Sequence, residues 1–215
     1  MRHIISYKVF EGVIKAYDFT ETFDELKSIK DITLEDLDRI FNHLDVEFVD
    51  IDYFKSKLQT QKEIELVPVN MPHIRPGLRF AAHNIYTNKM YVCIEADKFL
   101  ETLNSPLRTE ILDLLDEILR HESIHKQQGE KRPGVIIRNL ENSPMKPKEY
   151  FGSTDEIMAY ADSFITQCRK RGLSNEDIKN MLVSGKKVSW IQDVYSRFTS
   201  PQSQKRFKKY VYQYL

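Results

Sequence analysis

The stretch from Ser105 to Gly129, SPLRTEILDLLDEILRHESIHKQQG, constrains the fold of this chain more than any other part of it. Ser105 followed by Pro106 reads as an N-cap and a first helical residue, and Gly129 as a stop, which predicts a helix running to about Gln128. Along it Ile111, Leu115, Ile118, Glu122 and His125 follow 4-3-4-3 spacing, so the apolar, core-facing stripe runs on into ionisable residues. An ordinary amphipathic helix turns such groups to solvent, because a buried charge is costly unless it is paired. The placement therefore argues against a merely polar helix end.

Around this helix the other segments read as short elements. HIISYKVF, ending near Gly12, has the β-branched and aromatic content of a strand. The acidic stretch after it looks helical: Thr33 with Asp36 three residues on is an N-terminal cap, and Leu34, Leu37, Ile40, Phe41 and Leu44 share one helical face. PVNMPHIRPG, residues 68 to 77, marks a boundary, and LRFAAHNIYTNKMYVCIEA predicts a hairpin turning at Thr87-Asn88-Lys89. A second helix starts near Ser153 and closes at Gly172, followed by three short helices capped at Ser174, near Ser189 and at Ser200. The expected fold is α+β, an antiparallel hairpin packed on the 105–128 helix with a helical C-terminal region. Its parts are an acidic α/β region (1–75), a central domain (76–172) and a basic helical region (173–215), which can all pack as one unit.

Composition narrows the function classes. At 215 residues and 41% hydrophobic content a sizeable core is possible, yet no apolar run approaches the roughly 18 residues of a membrane span, and MRHIISYKVF is not built as a signal peptide. The expectation is a soluble cytoplasmic chain with no membrane partner. Cys93 and Cys168 are too few for a disulfide framework or a CxxC metal knuckle and read as core thiols. Asp45, Asp50 and Asp52 lack the glycine-containing loop that calcium requires and read as a solvated edge. Net charge is zero but uneven: Asp18 to Glu65 holds 14 acidic and 6 basic residues, Arg169 to Leu215 holds 3 and 11. The simpler reading is two faces that attract each other in the fold.

The chemistry concentrates at His121-Glu122-Ser123-Ile124-His125. Residues four apart lie one helical turn apart on one face, so His121 and His125 can offer two imidazole nitrogens to one ion. Glu122, one residue displaced, stays out of that shell but near a bound water, where it can take up a proton and return it. Zinc favours such a site and lowers the pKa of its water to about 7. A third ligand must come from a carboxylate, a cysteine or an upstream histidine, since no histidine follows His125. Glu156 is the strongest candidate, with Asp155 and Glu149 as rivals. Ser153-Thr154-Asp155-Glu156 also spells a capping box, in which Glu156 would only reach back to the N-cap amide. Tyr160, one turn on, can face the same cleft as an oxyanion donor or belong to the core. His83, in the hairpin, is expected to be a surface or core group.

With HESIH at 121–125 and Glu156-Ile157-Met158-Ala159-Tyr160-Ala161, the chain resembles the zincin metallopeptidases whose third ligand is a glutamate, the gluzincin type, over residues 79 to 170. The resemblance implies a zincin-like fold with the hairpin as substrate-lining strand. It also implies a zinc-dependent peptide hydrolase, with His121, His125 and Glu156 on the metal, Glu122 as general base and a protein or peptide as substrate. The compact form and the closing RFKKYVYQYL are similar to small uncharacterised phage-encoded members, which places the protein in the host cytoplasm or the virion. Two other readings compete. One is a structural or interaction protein that keeps the fold without turnover, against which the intact Glu122 counts. The other is nucleic-acid binding by KRFKKYVYQYL, against which Phe207, Val211 and Leu215 recur at helical spacing and make the segment an amphipathic closing helix.

Overall fold

The computed structural model describes residues 14–53, 77–84, 87–131, 153–184 and 200–215. The expected opening strand, the proline-rich boundary before Gly77, Glu149 and the helix near Ser189 lie outside them. Helices α1 (Thr20–Ser28) and α2 (Leu34–Phe41) are followed by a 3-10 turn (Asn42–Leu44), strand β1 (Val46–Asp50) and a single turn α3 (Ile51–Tyr53). Strands β2 (Leu78–Asn84) and β3 (Lys89–Ile94) then lead into α4 (Ala96–Leu103) and α5 (Arg108–Lys131). Three helices close the order: α6 (Thr154–Lys170), α7 (Asn175–Ser184) and α8 (Pro201–Tyr214). The fold is α+β and mostly helical.

The sheet is small and mixed, in the order β1-β3-β2. β3 pairs antiparallel with β2, His83 opposite Met90, and parallel with β1, Val46 opposite Met90. The hairpin is thus where the alternation put it, turning through Asn88 at φ 57 with Asn84 Oδ1 accepting from Thr87 N–H. As the central strand, β3 is buried on both faces, Met90, Val92 and Ile94 towards one core and Tyr91 and Cys93 towards another.

α2 is closed by the expected box: Thr33 Oγ1 accepts from Asp36 N–H, and Asp36 Oδ2 from Thr33 N–H at 3.1 Å. Leu37, Ile40 and Phe41 face inward, Leu44 is partly buried against the same core, and Leu34, in the first turn, stays exposed. The main core is shared between residues 19–46 and the hairpin, α4 and the first half of α5, with Phe19, Phe23, Phe41, Phe48 and Phe99 in successive ring contact. A second core joins α6, α7 and α8 through Ile157, Phe164, Ile178 and Phe207. Ile124 of α5 meets Met158 and Ala159 of α6 in a cluster of their own, so α5 is wedged between the two main cores. In α8, Phe207 and Val211 are buried while Lys205, Arg206 and Lys209 are exposed.

Two expectations, the start and the stop of the helix, are corrected. Ser105 and Pro106 form a turn ahead of α5: Ser105 Oγ accepts from Leu107 N–H, and the Arg108 guanidinium donates to the carbonyls of Leu103, Ile29 and Lys30, which pins that turn to the α1–α2 connection. At its other end α5 runs through Gly129 to Lys131, held there by Asn88 Nδ2 donating to Glu130 Oε1 at 2.9 Å. Among the described residues, charges of both regions pair with the middle of the chain, Asp45 with Lys126, Glu47 with Lys89, and Lys170 with Asp113 and Asp116. Among the described residues no helix is long and apolar enough to cross a membrane.

Gly77 opens β2 at φ +86, and a Cβ there would lie 2.2 Å from the backbone nitrogen of Phe99. Gly77→Ala should therefore lower stability by about 2–4 kcal/mol through strain and overlap together. Chemical denaturation of the two proteins measures it, and equal midpoints would contradict this packing.

Candidate metal centre

The last two turns of α5 lie against the first turn of α6, and this contact assembles the site. His121 and His125 point the same way, with their Nε2 atoms 3.1 Å apart. Glu156 enters from α6, Oε1 at 2.9 Å from His125 Nε2 and Oε2 at 3.5 Å from His121 Nε2. The helix that carries Glu156 starts because Ser153 Oγ accepts the Glu156 N–H. The reciprocal half of a capping box is not made there: the Glu156 carboxylate turns to the histidines. Of the rivals, Asp155 contributes its backbone carbonyl to a neighbouring contact and does not join the cluster.

The donor set fits a divalent cation. Ligands about 2.0–2.1 Å from a tetrahedral zinc stand about 3.3 Å from one another; the two imidazole nitrogens are 3.1 Å apart, and one donor atom from each of His121, His125 and Glu156 lies within 4.8 Å of the others, close enough for one ion to draw together. Glu156 is 3% exposed, and its Oε2 is a buried oxygen without a hydrogen-bond partner among the described residues, a deficit that a cation at the meeting point of the three groups removes. Two imidazoles and a carboxylate fill three positions of a tetrahedral shell and leave the fourth open, as catalytic zinc sites do.

Glu122 lies beside this set and outside it. Burial pushes the pKa of its carboxyl up against the opposing pull of His125 and His121, and the backbone of His83 on the edge strand β2 adds a weaker pull in their direction. The His83 ring is not part of the cluster; Nε2 is 3.1 Å from Asn88 Oδ1, and burial lowers its pKa to about 4. The Tyr160 ring meets the His121 ring edge-on at 4.8 Å. Ser123, between the histidines, is fully buried and accepts from Tyr17 N–H at 2.9 Å, which lays the segment before α1 along the far side of α5. One residue escaped the sequence reading. Gln128 is fully buried and its Oε1 is 3.0 Å from His125 Nδ1. Its spacing of three from His125 and seven from His121 was the available signal.

No protein-family model, no curated protein and no solved structure matches the chain. The functional reading therefore rests on the residues themselves.

Without a cation, burial disfavours the charged form of His125, but the Glu156 carboxylate outweighs it and raises the pKa to about 10, while Glu156 is held below its usual range. The raised histidine stabilises the metal-free fold most fully below its unfolded value of about 6.5 and stops doing so as pH climbs through about 10. The depressed carboxylate contributes above its ordinary value near 4.5 and loses this as pH falls. A cation must displace the His125 proton, so metal affinity should keep rising by about tenfold per pH unit beyond pH 7 instead of levelling above about 6.5. Chelator competition at pH 6, 7, 8 and 9 checks this, and a plateau from pH 7 upward would refute the coupling.

Proposed function

We propose that the protein is a zinc-dependent peptide hydrolase of the zincin type. The observation that carries this reading is the convergence of His121, His125 and Glu156 from two helices, with Glu122 alongside but outside the set. A zincin-like arrangement is supported by the antiparallel hairpin lying against the histidine helix, with β2 at the sheet edge.

When bound, zinc supplies a Lewis acid that makes water nucleophilic near neutral pH. Three side chains would hold it: His121 and His125 as neutral imidazoles through Nε2, and Glu156 as a carboxylate. Glu122 removes a proton from the attacking water and delivers it to the departing amine. Its raised pKa suits that exchange, since a base works best when its pKa approaches the working pH. A protein or peptide is the substrate class.

The alternative is a protein that holds a metal without turnover, and the carboxylate of Glu122 beside the metal set counts against it.

Elemental analysis of the purified chain should find about one zinc, lost in His121→Ala and His125→Ala. Glu156→Ala should weaken zinc binding and narrow the gap in melting temperature between metal-loaded and chelator-treated protein, because binding to the native state is what opens that gap. A variant that binds zinc like the parent would leave Glu156 as a helix-cap residue alone.

Glu122→Gln separates enzyme from scaffold. The amide keeps the shape and cannot take the proton, so zinc should remain while hydrolysis falls by about 100- to 10,000-fold. Mass spectrometry of a broad peptide library incubated with each protein reads the difference, and identical product profiles would favour the non-catalytic protein.

A further inference from the structure

We infer that Gln128 is a positioning residue that fixes which nitrogen of His125 is offered to the metal and ties that nitrogen to the carboxylate arriving from α6. The inference rests on the metal-site reading above and concerns a residue that reading does not use.

Gln128 is 0% exposed, so its amide must find partners inside the protein. Its Nε2 lies 3.2 Å from the carbonyl oxygen of Asp155 and 3.9 Å from Met158 Sδ, and its Oε1 lies 3.0 Å from His125 Nδ1. A carbonyl oxygen can only accept, which sets the NH2 end towards Asp155. The opposite flip would bring two oxygens together and leave both amide hydrogens aimed at the imidazole. With Oε1 towards His125, Nδ1 must carry the hydrogen, and a neutral ring then has its free electron pair on Nε2. That is the nitrogen 3.1 Å from His121 Nε2 and 2.9 Å from Glu156 Oε1.

The other end of the same amide holds the residue immediately before Glu156. One buried side chain therefore spans the gap between the helices, linking the direction of the imidazole to the place where the carboxylate enters. An amide rather than a carboxylate does this without adding a third negative charge beside Glu122 and Glu156.

The test uses the full chain as wild type, Gln128→Leu and Gln128→Glu. Zinc affinity is measured by chelator competition, and the histidine ring nitrogens are followed by 15N NMR with and without metal. Gln128→Leu should lose about 10- to 100-fold in affinity, as removal of a partner behind a metal-bound histidine does. Gln128→Glu, which keeps an acceptor for Nδ1–H but loses the donor to the Asp155 carbonyl, should recover part of that loss. A protected His125 Nδ1–H signal should appear in wild type and Gln128→Glu and vanish in Gln128→Leu. Wild-type affinity in the leucine variant, or equal losses in both variants, would overturn the inference and leave Gln128 as packing between helices. If neither variant folds, the wild-type spectrum decides: an unprotonated Nδ1 in zinc-loaded protein overturns it. Should wild type take up no zinc at all, the hydrolase reading fails, while the ring signal of metal-free protein still decides the hydrogen bond.

Discussion

Turning His121, Glu122 and His125 inward on α5 removes ionisable groups from water, and the fold is organised around offsetting that penalty. The first turn of α6 supplies the compensation, since Glu156 makes its ion pair at 2.9 Å in a setting where either partner alone would be strongly unfavourable. Neither helix can shift relative to the other without separating these charges. The apolar contacts beside them, Ile124 with Met158 and Ala159, act in the same direction by excluding water from the seam.

Other polar links repeat this pattern along α5. Lys126, 3% exposed, pairs at 2.5 Å with Asp45 in the left-handed turn before β1, which anchors the helix to the sheet. Gln127 donates to the carbonyl of Lys15 and Ser123 receives Tyr17 N–H, while Tyr214 of α8 reaches the carbonyl of Ile14 at 2.7 Å. Successive residues of one helix thus contact α6, the hairpin and the segment before α1. The sequence HESIHKQQ is consequently not a motif followed by filler: among these eight residues Ser123, Lys126, Gln127 and Gln128 each hold a different neighbour.

How much of this was legible in the chain follows from the range over which each signal acts. The Thr33 and Ser153 caps and the hairpin turn depend on residues within four positions, and they lie where local chemistry put them. The stop expected at Gly129 failed because a glycine inside a helix costs only about 1 kcal/mol, and Glu130 beyond it is held by Asn88, 42 residues away. Gln128 could not be singled out for the same reason: its partner on α6 is 27 residues distant, and only the packed pair of helices shows that its amide has two ends to satisfy. α4, absent from the sequence reading, has no side-chain cap and is held mainly by Phe99 and Leu103 in the core.

The two capping sequences of the chain make the decisive comparison. Thr33 and Asp36 close a reciprocal box at the surface, where the acid has no better partner and each half contributes about 1 kcal/mol at most. Ser153 and Glu156 have the same spelling and the same backbone start, yet only the serine half is made. The longer glutamate side chain, in a buried first turn facing two imidazoles, gains more from charge-assisted bonds in a low-dielectric seam than from one exposed amide. The positive end of the α6 dipole favours the carboxylate in either position, so it does not choose between them. What chooses is the pair of histidines. A residue spelled as a helix start has become the link between two helices, and it keeps one buried oxygen without a hydrogen-bond partner among the described residues, which is the chemical property a cation ligand needs and a cap does not.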